Sequence, residues 1–167
     1  MSIPNSRILF TLVFLGTVFL MSVALYMQHV MGLEPCSMCI LQRIMVISVG
    51  LIALAGAIHN PAEKGIRIYG ALVSTGSVIG AGISIRHLWL QSLPPDQVPA
   101  CGPSLDYLLD VFPLTEVLMM VLKGDGACAE VLWTFLGISI PCWVLIGFIG
   151  LFAFVAFQMW RPVPGGK

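Results

Sequence analysis

Charged residues are scarce in this sequence, and that scarcity excludes most kinds of water-soluble protein. Only 10% of the 167 residues are charged, whereas a soluble domain carries about 25%. Hydrophobic residues make up 58% of the chain and the mean hydropathy is +0.97, so charge cannot cover a water-facing surface. The eight basic and eight acidic residues cancel, which leaves no electrostatic footprint for nucleic acid. We therefore expect a membrane protein built as one compact bundle.

Uncharged stretches long enough to cross a bilayer occur four times. About 20 helical residues cross a hydrocarbon core of about 30 Å. The predicted spans are residues 8–27, 39–58, 68–85 and 138–157. A polar turn at residues 63–67 precedes the third span, and an outer loop covers 86–137. The sequence thus predicts an all-α membrane protein, a single domain over residues 1–167 arranged as a four-transmembrane-helix bundle.

The first and third spans carry further signals. The first has a rival interpretation as a signal peptide, because Arg7 precedes it and Ser22-Val23-Ala24 is a small-x-small triplet. Its apolar core exceeds the about 7–15 residues of a signal sequence and the chain stays apolar afterwards, so we expect it to be a retained helix. In the third span, Gly76 and Gly80 have the small-xxx-small spacing that lets helices approach closely.

Residues 91–134 differ from the rest of the chain, because they hold six of the eight acidic residues, several prolines and two cysteines. We interpret this segment as a water-facing loop. The prolines around Cys101 favour an extended backbone that suits docking into another protein's groove. Leucines recur at helical spacing over 105–112 and 114–121, in stretches too short to span, and predict short helices on the membrane surface.

The distribution of basic residues indicates an orientation. With four spans, both termini and the turn at 60–67 share one side. That side carries five basic residues: Arg7, Lys64, Arg67, Arg161 and Lys167. The other side carries three: Arg43, Arg86 and Lys123. The positive-inside rule then predicts that the termini are cytoplasmic and that Cys36, Cys39, Cys101 and Cys128 face outward.

The chain has five cysteines, and two of them form a Cys-x-x-Cys pair at the expected start of the second helix. Free backbone N–H groups there favour the thiolates of Cys36 and Cys39, the reactive form. Arg43 lies one helical turn beyond Cys39, where its charge stabilises a thiolate or an electron acceptor's carbonyl oxygen. A redox pair, a structural disulfide and a metal site all fit this spacing, and Arg43 fits an interfacial anchor as well.

The remaining cysteines and the histidines leave further alternatives. Cys101 and Cys128 flank 26 residues, so a bridge would stabilise the loop by about 3–4 kcal/mol, although both contexts are flexible enough for a labile disulfide. A four-cysteine zinc site requires a second closely spaced pair, so we expect no metal. Cys142 stands alone and is interpreted as an inert core residue. His87 is an interfacial anchor, or an acceptor contact if it faces Cys39 and Arg43.

Several motifs, spread over nearly the whole chain, resemble those of the DsbB family of bacterial disulfide bond formation proteins. They are Gln28-His29-Val30-Met31, Pro35-Cys36-x-x-Cys39-x-x-x-Arg43, Arg86-His87 with Gln91, Pro99-Ala100-Cys101, Cys128-Ala129-Glu130 and Phe135-Leu136-Gly137-x-x-x-Pro141-x-Trp143. The spacing of cysteines and arginine across four spans is more specific than a lone Cys-x-x-Cys.

The resemblance implies a quinone-dependent thiol oxidase of the bacterial inner membrane. Such an enzyme reoxidises a DsbA-like periplasmic thiol oxidase and passes the electrons to ubiquinone or menaquinone. By the same resemblance, Cys101 forms the mixed disulfide with the partner and Cys128 is its bridge partner. Cys36 and Cys39 exchange with that pair, Cys39 being the sulfur that meets the quinone. The resemblance assigns Arg43 and His87 to quinone binding and places the redox cysteines in the periplasm.

Three other functions remain open on the residues. A vitamin K epoxide reductase-like enzyme also couples thiols to quinones, but its membrane-embedded pair belongs to a late helix. A non-catalytic membrane assembly factor would use the disulfides only as cross-links, and it would need no cation beside Cys39. A transmembrane thiol conduit would require cysteines within two helices, and only Cys142 is so placed.

Overall fold

The computed structural model describes residues 6–103 and 105–160, and within them the chain forms seven helices and one small hairpin. The helices are α1 (Ser6–His29), α2 (Ser37–His59), α3 (Glu63–Gln91), α4 (Leu105–Val111), α5 (Leu114–Lys123), α6 (Gly126–Ala129) and α7 (Ile140–Trp160). Strands β1 (Thr134–Phe135) and β2 (Ile138–Ser139) pair antiparallel. Arg161 and Lys167, which entered the orientation prediction, lie outside the described residues.

Four of the helices, α1, α2, α3 and α7, are long and apolar enough to cross a membrane. They pack in a bundle in which α2 contacts α1 and α3, and α3 contacts α7. Their outer faces carry large exposed hydrophobic side chains such as Phe19 and Ile68, as expected of helices surrounded by lipid. The predicted four-helix membrane bundle is therefore confirmed.

The helices that contain the third and fourth spans do not begin and end at the predicted span boundaries. The predicted polar turn at residues 63–67 is wrong, because these residues form the first turns of α3. There Arg67 Nη2 donates to Glu63 Oε1 at 2.8 Å, an i,i+4 pair, and the acidic residue favours a helix N-terminus. At its other end α3 continues past His87 to Gln91, and the predicted start of the fourth span at Ile138 is in strand β2.

The prediction of close packing at Gly76 and Gly80 is confirmed. A Cβ built on Gly76 would lie 2.8 Å from Val49 of α2, and one on Gly80 would lie 2.3 Å from the ring of Phe148 of α7. Phe148 is fully buried. The small residues therefore let α3 pack directly against α2 and α7.

Replacing Gly80 with alanine is expected to destabilise the bundle by about 1–3 kcal/mol, the usual cost of overpacking, because the buried Phe148 ring would have to shift away from the added methyl group. Gly82→Ala is a matched control in the same helix, since nothing lies within 4 Å of a Cβ there. Thermal unfolding of the two purified variants in detergent measures the difference. Equal midpoints for both variants would contradict the close packing at Gly80.

The outer loop folds onto one end of the bundle. Helices α4 and α5 confirm the predicted short helices. Their inner faces supply Leu108, Val117 and Val121 to a buried cluster that also contains Met38 of α2 and Leu90 of α3. This cluster fixes the loop over the beginning of α2 and the end of α3, where the Cys-x-x-Cys pair lies.

One arginine adds a polar attachment to this loop. Arg86 Nε donates to Leu122 O at 3.2 Å and its Nη2 donates to Lys123 O at 3.0 Å, so it binds carbonyls at the C-terminal end of α5. Its guanidinium also lies 4.1 Å from the centre of the Trp89 ring. The cation therefore stabilises the end of a helix, where the macrodipole is negative.

Candidate thiol redox site

The Cys-x-x-Cys pair occupies the beginning of α2, as predicted. Cys36 is the N-cap residue, with φ −69° and ψ 168°, and its sulfur accepts a hydrogen bond from the backbone N of Cys39 at 3.4 Å. The two Sγ atoms lie 3.0 Å apart. A small backbone adjustment therefore suffices to bring them to the bonding distance of a disulfide.

The helix start does not by itself decide the protonation of Cys36, because the neighbouring thiols and burial act on its pKa as well. A hydrogen bond with Cys128 lowers the pKa of Cys36, but the Cys39 thiol and burial act against it and raise that pKa to about 12. The hydrogen bond with Cys36 and burial also raise the pKa of Cys128. Negative charge on one of these sulfurs disfavours negative charge on its neighbour, and burial disfavours charge on both.

Cys128 lies at the same place, brought there by the short helix α6. The side chain of Asp125 caps α6 by accepting from Cys128 N at 3.1 Å, the usual role of an aspartate at this position. The sulfur of Cys128 is buried, and it lies within 4.8 Å of Cys36 Sγ and a ring nitrogen of His87. A thiol of the outer loop is thus next to the first thiol of the membrane pair.

Ser37, which directly follows Cys36, connects α2 to the loop. Its hydroxyl donates to Asp125 Oδ2 at 3.1 Å and lies 3.6 Å from Cys128 Sγ. Asp125 therefore holds Cys128 with one oxygen and Ser37 with the other. We call this arrangement of Ser37, Asp125 and Cys128 the loop latch.

His87 lies beside these thiols, buried on α3. Its Nε2 is 3.8 Å from Cys36 Sγ and 3.0 Å from Cys128 O. Its Nδ1 is 3.5 Å from the amide nitrogen of Gln42, another buried polar side chain. An acceptor contact by His87 depended on its facing Cys39 and Arg43, whereas its contacts here are with Cys36, Cys128 and Gln42.

Cys101 lies apart from the other thiols and is exposed. The strip around it runs along α6, where Gly126 N donates to Ala100 O at 3.3 Å. A Cβ on Gly126 would meet Pro99 O at 2.9 Å and Cys101 Sγ at 3.1 Å. Glycine at this position therefore lets the Cys101 strip lie against the helix that carries Cys128. The bridge between Cys101 and Cys128 stays a prediction.

A cavity of about 470 Å³ opens on the other face of the pair, between α1, α2, the hairpin and α7. Its walls are mostly apolar, and Cys39, Gln42 and Arg43 are among its few polar side chains. Of the predicted site residues within the described chain, Cys39 and Arg43 line this cavity, whereas Cys36, Cys101, Cys128 and His87 do not. A flat, apolar ring with polar edge atoms fits such a space.

The β1–β2 hairpin supplies an aromatic wall. The rings of Trp133 and Phe135 stack with centroids 5.9 Å apart, and Phe135 lies 6.0 Å from the ring of Trp143. Trp143 Nε1 donates to Phe135 O at 3.3 Å, which ties the hairpin to α7. All three rings line the cavity. Trp143, near the start of α7, therefore forms part of the cavity wall.

Arg43 is held at the cavity by α1. Its Nη2 donates to Ala24 O at 3.2 Å, and its Nη1 donates to Gln28 Oε1. These two hydrogen bonds orient the guanidinium and leave it on the cavity wall near Cys39. The contact with Gln28 also explains how the Gln28-His29-Val30-Met31 motif, distant in sequence, belongs to this site.

Comparison with known proteins gives a consistent result. A family model described as "Disulfide bond formation protein DsbB" matches residues 6–158. A disulfide bond formation protein B of Saccharophagus degradans is 53% identical over 159 residues, 95% of this chain and 94% of that protein. One of Stutzerimonas stutzeri is 49% identical over 161 residues, 96% of this chain and 99% of that protein. The chain belongs to the DsbB family.

Proposed function

We propose that this chain oxidises a periplasmic DsbA-like thiol oxidase through Cys101 and Cys128 and delivers the electrons through Cys36 and Cys39 to a membrane quinone. The family to which it belongs reoxidises DsbA and passes electrons to quinone. The observation that carries the residue assignment is the position of Cys36, which contacts Cys128 on one side and Cys39, on the cavity, on the other.

The free energies explain why two thiol pairs are needed. DsbA is a strong oxidant with a reduction potential of about −120 mV, whereas the reduction potentials of structural disulfides lie below about −300 mV. The gap of roughly 180 mV corresponds to about 8 kcal/mol for two electrons. An ordinary disulfide therefore cannot oxidise DsbA, and the exchange requires coupling to an acceptor of higher potential. A pair beside an apolar cavity in a membrane helix provides that coupling.

The thiol relay follows from the contacts. A thiolate of reduced DsbA attacks Cys101 Sγ, and Cys128 leaves as a thiolate. Cys128 then attacks Cys36 Sγ, which breaks the Cys36–Cys39 bond and releases the Cys39 thiolate toward the cavity. Attack by the second DsbA thiolate frees Cys101 and yields oxidised DsbA. Cys101 then attacks Cys128, restoring the loop disulfide and releasing Cys36 as a thiolate. Closing the Cys36–Cys39 bond again would release two electrons, which a quinone at the cavity would accept.

The acceptor site is the cavity at Cys39. When bound there, a quinone takes up two electrons and two protons. The stacked rings of Trp133, Phe135 and Trp143 offer apolar faces to a planar ring. The guanidinium of Arg43, on the same wall as Cys39, would stabilise negative charge on an oxygen at the ring edge. Ubiquinone and menaquinone both have such a ring and are the proposed acceptors.

The proposed location is the bacterial inner membrane, with the helices α1, α2, α3 and α7 spanning it. The termini are cytoplasmic and the loop containing Cys101 and Cys128 is periplasmic, as the positive-inside rule indicates. This orientation places all four redox cysteines in the compartment in which disulfides persist. An extended, exposed Cys101 strip is then accessible to a soluble partner.

Purified protein in detergent, mixed with reduced DsbA and a soluble quinone, tests the function. We expect quinone absorbance to fall in step with the loss of DsbA thiols, in a ratio of one quinone to two thiols. Omitting either the protein or DsbA provides the control. Oxidation of DsbA without consumption of quinone would contradict the proposal.

The loop latch yields a separate prediction about positioning. Ser37→Ala removes the hydrogen bond that ties α2 to Asp125 and leaves the Asp125 cap of α6 intact, so Cys128 spends less time against Cys36. We expect the rate of Cys36–Cys128 disulfide formation to fall about 3- to 10-fold, the effect of one hydrogen bond of about 1 kcal/mol. Rapid quenching with an alkylating agent and non-reducing peptide mapping measure this rate.

Ser48→Ala is the matched control for the latch, because the Ser48 hydroxyl binds only Ile44 O within the same helix α2. A double-mutant cycle between Ser37→Ala and Asp125→Ala isolates the contact, and a coupling free energy of about 1 kcal/mol is expected. Additive effects, or an exchange rate in Ser37→Ala equal to that in Ser48→Ala, would remove the latch from the relay.

A further inference from the structure

The side chains of Cys36, His87 and Cys128 form a compact cluster whose imidazole has no part in the thiol relay. Their ligand atoms, two sulfurs and a ring nitrogen, all lie within 4.8 Å of one another. Cys36 Sγ and His87 Nε2 are 3.8 Å apart. Three residues from three separate elements, the start of α2, the end of α3 and α6, thus converge on one point.

The spacing suits a tetrahedral metal ion. With zinc–sulfur bonds of about 2.3 Å and zinc–nitrogen bonds of about 2.0–2.1 Å, a sulfur and a nitrogen ligand in a tetrahedron lie about 3.5–3.6 Å apart and two sulfur ligands about 3.8 Å apart. The observed distance of 3.8 Å between Cys36 Sγ and His87 Nε2 is about 0.2–0.3 Å longer than the sulfur–nitrogen value. The Cys128 sulfur lies within 4.8 Å of both atoms, so a movement of less than about 1.5 Å brings it to the ligand position. Thiolate and imidazole are the ligands that zinc and cadmium prefer.

Charge balance also favours a divalent ion at this position. Two thiolates carry two negative charges, so a bound dication leaves the site neutral. A neutral complex avoids the high cost of a net charge in surroundings where Cys128 and His87 are buried. We propose that the protein, when Cys36 and Cys128 are both reduced, binds one thiophilic divalent cation such as Zn²⁺ through Cys36, His87 and Cys128.

Gln42 and Ser37 lie next to two of the proposed ligands. In this structure His87 Nε2 lies 3.0 Å from Cys128 O, and His87 Nδ1 lies 3.5 Å from Gln42 Nε2. Binding a metal through Nε2 exchanges the contact with Cys128 O for the ion, and a turn of the Gln42 amide brings Oε1 into position to accept the proton on Nδ1. Metal-binding histidines ordinarily donate their second ring N–H to such a partner. The Ser37 hydroxyl lies 3.6 Å from Cys128 Sγ while it donates to Asp125 Oδ2, so it helps to hold the Cys128 sulfur at the cluster.

The functional consequence is a block of the relay, and this part rests on the proposed function. A cation bound to both sulfurs prevents formation of the Cys36–Cys128 disulfide and releases two protons without any transfer of electrons. The bound state requires both thiols, so it forms when the electron acceptor is limiting and disappears when Cys36 and Cys39 are joined. The metal thus traps the reduced enzyme.

Titration of the full chain with Cd²⁺ tests the site without any assay of activity. The protein is reduced in detergent under anaerobic conditions, freed of reductant and quinone, and monitored by the thiolate-to-cadmium charge-transfer absorption. We expect one Cd²⁺ per chain, displaceable by Zn²⁺, and at least about tenfold weaker binding after oxidation with quinone. A stoichiometry well below one, or equal binding by the oxidised protein, would overturn the proposal.

Variants identify the ligands. Cys128→Ser and His87→Ala are each expected to weaken Cd²⁺ binding at least about tenfold, because each removes one of three ligands. Cys101→Ser, in the same loop, and Cys142→Ser are the matched controls and should bind as the unmodified protein does. Removal of a buried imidazole also affects folding, so the decisive comparison is between the Cd²⁺ affinities of Cys128→Ser and Cys101→Ser. Unfolding midpoints confirm that both variants are folded.

The outcomes separate this inference from the proposed function. Unchanged Cd²⁺ affinity in Cys128→Ser, or lost affinity in Cys101→Ser, would overturn the metal site. Neither result would bear on the proposed function, quinone-coupled oxidation of DsbA. Stoichiometric Cd²⁺ binding that depends on Cys128 supports the site even if the protein failed to reduce quinone.

Discussion

Replacing Cys39 with serine is expected to abolish quinone-coupled oxidation of DsbA, with a loss on the order of 1,000-fold or more, as for removal of a covalent nucleophile. Among the cysteines of the described chain, Cys39 is the one that lines the cavity. A hydroxyl in its place has no accessible redox state and cannot close a bond with Cys36. Quinone absorbance in the presence of reduced DsbA measures the loss.

The other cysteines sharpen this expectation. Cys36→Ser, Cys101→Ser and Cys128→Ser should each abolish turnover as well, whereas Cys142→Ser should be nearly silent, because Cys142 in α7 does not line the cavity and has no step in the proposed relay. The variants differ in a single-turnover experiment. Cys39→Ser retains the loop disulfide and should still form one equivalent of mixed disulfide with DsbA, while Cys101→Ser should form none.

Full turnover by Cys39→Ser would end the assignment of this thiol to the quinone. Full turnover by Cys36→Ser would end the relay itself, because no other described cysteine contacts both Cys39 and Cys128. A mixed disulfide in Cys101→Ser would move the partner contact to Cys128, whose sulfur is buried in this structure. Each variant thus tests one step.

Much of this architecture could be predicted from the sequence because its signals are long or repeated. Spans of about 20 apolar residues have few alternative structures in lipid, so the four long helices were identifiable. Pro35 and the apolar run that follows located the start of α2, and with it Cys36 and Cys39. The glycine spacing in α3 predicted close packing because only a missing Cβ allows it.

The features that escaped prediction depend on contacts between distant segments. The hairpin turns at Leu136 and Gly137, with φ 54° and 77°, whereas the usual residue before glycine in such a turn is asparagine or aspartate. A leucine there gives no turn signal, so the aromatic wall of the cavity was missed. The contact of His87 with Cys36 and Cys128 likewise joins α2, α3 and α6, and no spacing along the chain encodes it.

One missed element did leave a local signal. Asp125 stands three residues before Cys128, the spacing at which an aspartate caps a helix by binding the N–H of the third helical residue. The four-residue helix α6 and the fixed orientation of Cys128 follow from that pattern. Its second contact, with Ser37, could not be predicted, since the two residues are 88 positions apart.

Replacing Arg43 with methionine is expected to lower kcat/KM for quinone about 10- to 100-fold, which corresponds to about 1.5–3 kcal/mol for a hydrogen bond to a charged group. The guanidinium lines the cavity with Cys39, and its two hydrogen bonds to α1 fix its direction. Methionine keeps the apolar volume and removes the charge. The dependence of the rate on quinone concentration at saturating DsbA measures the change.

Two further variants distinguish binding of the quinone from support of the bundle. Arg43→Lys keeps a positive charge but loses the forked geometry, so it should recover only part of the activity. Arg86→Met is the matched control, because Arg86 also binds backbone carbonyls at the same end of the bundle but does not line the cavity. If Arg43 only joined α1 to α2, both methionine variants would lower the unfolding midpoint and leave KM for quinone unchanged. A raised KM in Arg43→Met alone, with an unchanged rate of mixed-disulfide formation at Cys101, would place its effect at the quinone and after the thiol exchange.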